Sequence, residues 1–340
     1  MLTLNALAQH AEKIMLLGVL SFVVAMLLTP LYSYYAYKYK WWKRSRTHST
    51  TGEQLTVIAR LRIKRTVPLM AGLVMLAAIS AVTVIFNFNR NQTWLPLAAL
   101  LGGGIVGLID DIINIRGGGG NVAGLRAPIK FAMISVVAVI GAFFFYYKLG
   151  FSNIHMYSNI NLHLGWFIIP LFALVIVSTS KAVNISDCMD GLAGGLLLSA
   201  YSAFGLIAFL QGNFGIAAFC VTVAGAMLAY LWFNIPPARF FMGDVGSFSL
   251  GTALGVVAML TDTLFLLPII ALVFVSEAGS TLLQILSKKI LHRRIFIAAP
   301  LHHHLEASGW PKTKVTMRLW VAGQVCAVLG VSIALLGHYL

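Results

Sequence analysis

Charge is what this sequence has least of. Only 10% of its 340 residues are Asp, Glu, Lys or Arg, against about 25% in ordinary soluble domains, so the chain cannot cover a water-facing surface. Acids are the scarcest, ten in all. Cysteine is nearly missing too: Cys188, Cys220 and Cys326 lie in apolar or cytosol-facing stretches, which excludes a disulfide scaffold. Neither the polar bias of a disordered chain nor a collagen-like repeat occurs.

Apolar residues fill the space, at 59% of the chain. That is enough for roughly ten spans of ~20 residues, the length that crosses a ~30 Å hydrocarbon core. The expected fold is all-α: a polytopic integral membrane protein with about ten transmembrane helices, forming one domain over residues 1–340. The apolar runs fall near 13–36, 67–87, 94–112, 128–148, 164–183, 191–210, 215–233, 247–260, 264–287 and 319–338. No small-residue cleavage site follows the first run, which reads as a retained span and not as a signal peptide.

The net charge of +14 would suggest nucleic acid in a soluble protein. Here it reads as topology, and no nucleic-acid partner is expected. All basic residues except Lys13, Arg90 and Lys148 fall in the loops after odd-numbered spans. The positive-inside rule then places those loops in the cytoplasm and both termini in the periplasm. Asp110, Asp111, Asp187, Asp190, Asp244 and Glu306 gather on the same cytoplasmic side, with Glu277 inside the ninth span. A mid-bilayer charge costs about 2.5–3.5 kcal/mol on insertion scales, so acids placed against apolar runs have a purpose.

Four clusters carry chemistry. Gly107-Leu108-Ile109-Asp110-Asp111 ends the third span; adjacent carboxylates repel unless a cation joins them, and Mg²⁺ takes one or two carboxylates plus substrate phosphates. A solvated helix end is the plainer alternative, and the glycines at 117–120 read as a flexible linker. Asn184, Asp187 and Asp190 follow the fifth span, on one helical face or in a glycine-bearing loop. Asn234-Ile235-Pro236-Pro237 ends the seventh span, and Phe240-Phe241-Met242-Gly243-Asp244-Val245-Gly246-Ser247 begins the eighth. This offers a helix N-terminus to an anion, Asp244 to a metal and aromatic rings to a base. Last, His302, His303 and His304 precede Glu306; they suit a transition metal or, equally, a diphosphate or sugar. Residues 285–297 interleave Lys288, Lys289, Arg293 and Arg294 with apolar positions, as in a helix lying on the membrane surface. Acids for Mg²⁺, cations for phosphates and a lipid-embedded frame describe phosphoryl transfer between a soluble nucleotide and a membrane lipid, where catalysis is mostly positioning and charge neutralisation.

The Asp-Asp pair, Phe-Met-Gly-Asp-Val-Gly-Ser and the run from Pro300 through Glu306 to Gly309-Trp310-Pro311 resemble the polyprenyl-phosphate N-acetylhexosamine-1-phosphate transferases, and within them the phospho-N-acetylmuramoyl-pentapeptide branch. The likeness covers residues ~60–340 in order and spacing, which suits ten helices in one unit. It implies that undecaprenyl phosphate attacks the β-phosphorus of UDP-N-acetylmuramoyl-pentapeptide, giving lipid I and UMP at the cytoplasmic face of a bacterial inner membrane. It also implies a Mg²⁺ cofactor and a homodimer. Site segments fall near 110–130, 181–195, 234–247 and 300–311. Carried over by motif, Asp244 is the metal ligand, and Asp110 and Asp111 handle the lipid phosphate, one of them as its base. His302, His303 and His304 lie near the sugar and phosphates. Lys130, Asn184, Asp187, Asp190, Asn234, Phe241 and Glu306 form the substrate pocket. The chain departs from the family in Arg65-Thr66-Val67-Pro68-Leu69-Met70-Ala71-Gly72, in Lys181 and Cys188 where Asn and Gly are usual, and in Asn114, which replaces a basic residue. A UDP-N-acetylglucosamine donor is the rival within the class. A metal or proton-coupled transporter is the rival outside it, although transporter acids tend to sit near the midplane.

Overall fold

In hydrocarbon a peptide group must find its hydrogen-bond partner within its own segment, and the apolar runs fold accordingly as helices. A computed structural model describes residues 4–42, 67–116, 124–155 and 161–337. The basic loop after the first helix and the glycines at 117–120 lie outside these residues. The helices are α1 (Leu4–Lys38), α2 (Gly72–Phe86), α3 (Trp94–Arg116), α4 (Ala127–Tyr147), α5 (Ile168–Ser186), α6 (Leu192–Leu210), α7 (Phe214–Asn234) and α8 (Gly243–Leu260). After them come α9 (Leu267–Ile270), α10 (Leu272–Ile290), α11 (Leu301–Ala307) and α12 (Lys312–Leu336). A small antiparallel hairpin, β1 (Asn153–His155) with β2 (Asn161–His163), joins α4 to α5, with Ile154 opposite Leu162.

Each expected run holds a helix. Among the described residues, eight are long and apolar enough to cross a membrane. The other two are α2, only 15 residues long, and α10, which carries Glu277 and ends on Lys288-Lys289. The expected surface helix over 285–297 does not form. Helix α10 stops at Ile290, and buried Gln284 folds the next stretch back: its Oε1 accepts the Ile295 and Phe296 amides at 3.1 and 3.0 Å, and its Nε2 donates to the Phe296 carbonyl. Residues 67–71 are likewise not helical. They run beside 240–242, with Phe241 N–H donating to Pro68 O and Ala71 and Gly72 N–H donating to Phe241 and Met242 O.

Helix α8 is the axis of the bundle and is almost wholly buried. Helices α3 and α5 pack along it, and α3 can approach because Gly107 is bare: a Cβ there would strike the Asp244 carbonyl. The outer helices α1, α4 and α12 expose large apolar side chains such as Leu27, Ile140 and Leu336. In water such a surface would associate; here it faces lipid. At the end of α1, exposed Tyr34, Tyr35, Tyr37 and Tyr39 surround Lys38, whose ammonium stands 5.4 and 5.8 Å from the Tyr34 and Tyr39 rings. An aromatic belt of this kind marks a membrane–water boundary. Tyr37 reaches the Arg239 carbonyl, so the boundary lies at the end of the bundle where α3 finishes and α8 begins.

Candidate active site

At that end the last turns of α3 bring Asp110 and Asp111 against the first turn of α8, which carries Asp244. Ligand oxygens of the three carboxylates all lie within 4.8 Å of one another. The approach needs an unusual helix start: Gly243 takes φ +74°, and a side chain there would collide with Asp111. In return Asp111 Oδ2 accepts the Val245 amide at 3.0 Å, which fixes it on the N-terminus of α8. Asp110 is tied down on both oxygens. Its Oδ1 accepts the Leu125 amide at 2.7 Å, and its Oδ2 accepts Asn114 Nδ2 at 2.9 Å.

Two more residues lock the cluster. Lys130, buried in the first turn of α4, places its ammonium 2.5 Å from Asp110 Oδ2 and 2.8 Å from Asp244 Oδ2. Asn184, on the last turn of α5, donates from Nδ2 to Asp244 Oδ1 at 3.0 Å and to Ser247 Oγ at 2.9 Å. Four helices thus each supply a pinned group. Three carboxylates against one ammonium leave about two negative charges in a low-dielectric place, and every donor atom is a hard oxygen. That set fits a divalent ion of the Mg²⁺ class, held by Asp110, Asp111 and Asp244. Among the described residues it is the sole convergence of three or more His, Cys, Asp or Glu ligand atoms; the three histidines form no such group.

The remaining sequence candidates fall around this cluster. The segment after α5 is a turn, not a helix, so Asp187 and Asp190 do not share a helical face. Asp187 caps α5, and Asp190 Oδ2 accepts the Ala238 amide at 3.1 Å, bracing the segment after Pro236-Pro237. Asn234 is buried and committed to the backbone, with Oδ1 accepting Gly191 N–H and Nδ2 donating to Phe240 O, both at 2.9 Å. It ties the two loops together. Phe241 is half-buried beside Leu69, Met70 and Val245.

The histidines divide their work. His302 is fully buried, with Nδ1 2.8 Å from Glu277 Oε2 of α10 and its amide on the same carboxylate. Burial opposes a charged ring, but Cys188 and Glu277 outweigh it and raise the His302 pKa. His303 Nδ1 meets Glu306 Oε2 at 2.6 Å; burial would raise that carboxyl, yet His303 and Lys312 bring it below its ordinary value. His304 Nδ1 accepts the Ile297 amide and packs edge-on to Phe296. The α5 terminus joins both halves of the site, since Asn184 holds Asp244 while Cys188 lies against His302. In the sequence Glu277 has no evident partner, and Ser247 and Gln284 have no evident role; an intramembrane acid is the one signal for the first of these.

Residues 93–262 match the family described as glycosyl transferase family 4. The chain belongs to that family. The matched stretch of this family 4 transferase holds the three acids, Lys130 and Asn184. Alignments with relatives extend over the histidine segment as well. A protein named phospho-N-acetylmuramoyl-pentapeptide-transferase from Chloroflexus aggregans (strain MD-66 / DSM 9485) is 36% identical over 346 aligned positions, covering 97% of this chain and 92% of that protein. A protein of the same name from Geobacillus thermodenitrificans (strain NG80-2) is 35% identical, covering 95% of this chain and 98% of its own length. This family 4 transferase is a multi-pass membrane enzyme whose candidate site is built at one end of its bundle.

Proposed function

We propose that this family 4 transferase moves phospho-N-acetylmuramoyl-pentapeptide from UDP to undecaprenyl phosphate, releasing UMP and leaving lipid I. It would do so at the cytoplasmic face of a bacterial inner membrane, as one domain in ten spans and as a homodimer. The observation that carries this reading is the convergence of Asp110, Asp111 and Asp244 around Lys130 at the membrane boundary. The name shared by relatives that align along nearly the whole chain supports the donor.

A bound Mg²⁺ would neutralise the diphosphate of the donor. The protein's own groups do the rest. An oxygen of the lipid phosphate forms a bond to the β-phosphorus as the bond from that phosphorus to UMP breaks, and UMP leaves with the electron pair. Phosphate monoesters have a second pKa of about 6, so the attacking group is largely dianionic at neutral pH. Asp110 and Asp111 therefore matter less for taking a proton than for fixing cations and geometry. Lys130 and Asn184 hold Asp244 in place, and the turn at Asp187–Asp190 and the histidine segment line the approach.

The test is UMP release by purified protein given polyprenyl phosphate, Mg²⁺ and either UDP-N-acetylmuramoyl-pentapeptide or UDP-N-acetylglucosamine. Release is expected with the first donor and lost in Asp244→Ala. Turnover of the second donor alone would reassign the substrate, and UMP release unchanged in Asp244→Ala would refute the site.

A further inference from the structure

Lys181 has no task in the chemistry above. It leaves α5 three residues before Asn184, hence on the same face and one turn further from the cytoplasmic end. Its ammonium stands 5.0 Å from the centroid of Phe248, which follows Asp244 by one turn on α8. The site therefore has two layers. Asn184 meets Asp244 at the boundary, and one turn deeper Lys181 meets Phe248.

Lys181 is half-buried and, among the described residues, makes no ion pair or side-chain hydrogen bond. Keeping an ammonium inside the membrane boundary with no direct ion pair is costly. The ring beneath it orients the charge and leaves its N–H groups available. This is a cation whose donors suit an anion, at a depth that distinguishes the two substrates. A nucleotide donor is water-soluble and arrives from the cytoplasm into the acid layer. The acceptor phosphate is carried on a hydrocarbon chain and enters sideways from the bilayer.

We infer that Lys181 binds the phosphate of the membrane-embedded acceptor and holds it beneath the acid cluster. The inference rests on the transferase reading given above. Wild type, Lys181→Gln and Lys181→Arg are compared in two ways. The first is the rate of UMP release, with polyprenyl phosphate and UDP-N-acetylmuramoyl-pentapeptide varied in turn. The second is binding of polyprenyl phosphate against the matching polyprenol to the purified proteins in micelles. Lys181→Gln should raise KM for the acceptor by about tenfold or more, the worth of a charge-assisted hydrogen bond, leave the donor KM within about twofold and lose the preference for phosphate over alcohol. Lys181→Arg should restore most of both. An increase confined to the donor KM, or a phosphate preference that survives in Lys181→Gln, overturns the assignment. If wild type releases no UMP but binds polyprenyl phosphate through Lys181, the transfer reading fails and this assignment stands.

Discussion

Replacing Lys130 with Met tests the charge balance of the site directly. Its ammonium bridges Asp110 and Asp244 at 2.5 and 2.8 Å, and removing one partner from a buried ion pair costs about 3–5 kcal/mol. The variant should therefore melt several degrees lower when free of metal. Its response to Mg²⁺ should go the other way. Lys130 and a divalent ion share the same carboxylates, and at an effective dielectric of about 20 a unit charge roughly 5 Å from such an ion opposes it by several kcal/mol. Once the lysine has yielded carboxylate oxygens to the ion in wild type, about 1–2 kcal/mol of that opposition would remain, a factor of about 5–30. Thermal melting in detergent across a Mg²⁺ titration should thus show a midpoint about tenfold lower in Lys130→Met. Turnover should nevertheless fall by about 100-fold or more, the usual loss when a charge-stabilising donor leaves an active site. Tighter metal with poorer catalysis is the signature. A Mg²⁺ midpoint that is unchanged or higher would refute the reasoning, because Lys130 would then not compete for those acids.

Asn184→Ala removes the donor shared by Asp244 and Ser247. A hydrogen bond to a charged group is worth about 1.5–3 kcal/mol, so kcat should drop roughly 10–100-fold with little change in the donor KM; a change in KM alone would count against a positioning role. Glu277→Gln should flatten a pH slope. In wild type the raised pKa of His302 means that the native state holds a proton the unfolded chain releases above its ordinary value of about 6.5. That stabilisation is complete below about 6.5 and declines as pH rises toward the raised value. Without the carboxylate, Cys188 alone offsets the burial that opposes the charged ring, and the loss of stability above about pH 6.5 should be smaller in the variant than in wild type. Melting temperatures of both proteins across pH 5.5–8.5 check this, and parallel curves would show that the pair does not set the charge of His302.

What the sequence made legible here is the environment of each helix taken singly. Apolar runs reported the helices, and carboxylates against apolar runs singled out Asp110, Asp111 and Asp244 as residues to follow. Two misreadings share one cause. The basic stretch after α10 has the letters of an amphipathic helix, but Gln284, a neutral residue inside the preceding span, takes up the amides of Ile295 and Phe296 and turns the chain back. Residues 67–71 have the letters of a span, yet their amides and carbonyls are claimed by 240–242. Backbone partners of this kind have no side-chain signature. The same holds for the site itself. Asp111 reaches Val245 across 134 positions because Gly107 and Gly243 allow α3 and α8 to touch, and a glycine in a transmembrane run carries no mark of which helix it admits. A site built this way is assembled by helix approach before any side chain acts. Bulk at Gly107, which bears no functional group, would separate Asp110 and Asp111 from Asp244 as surely as mutating the acids themselves.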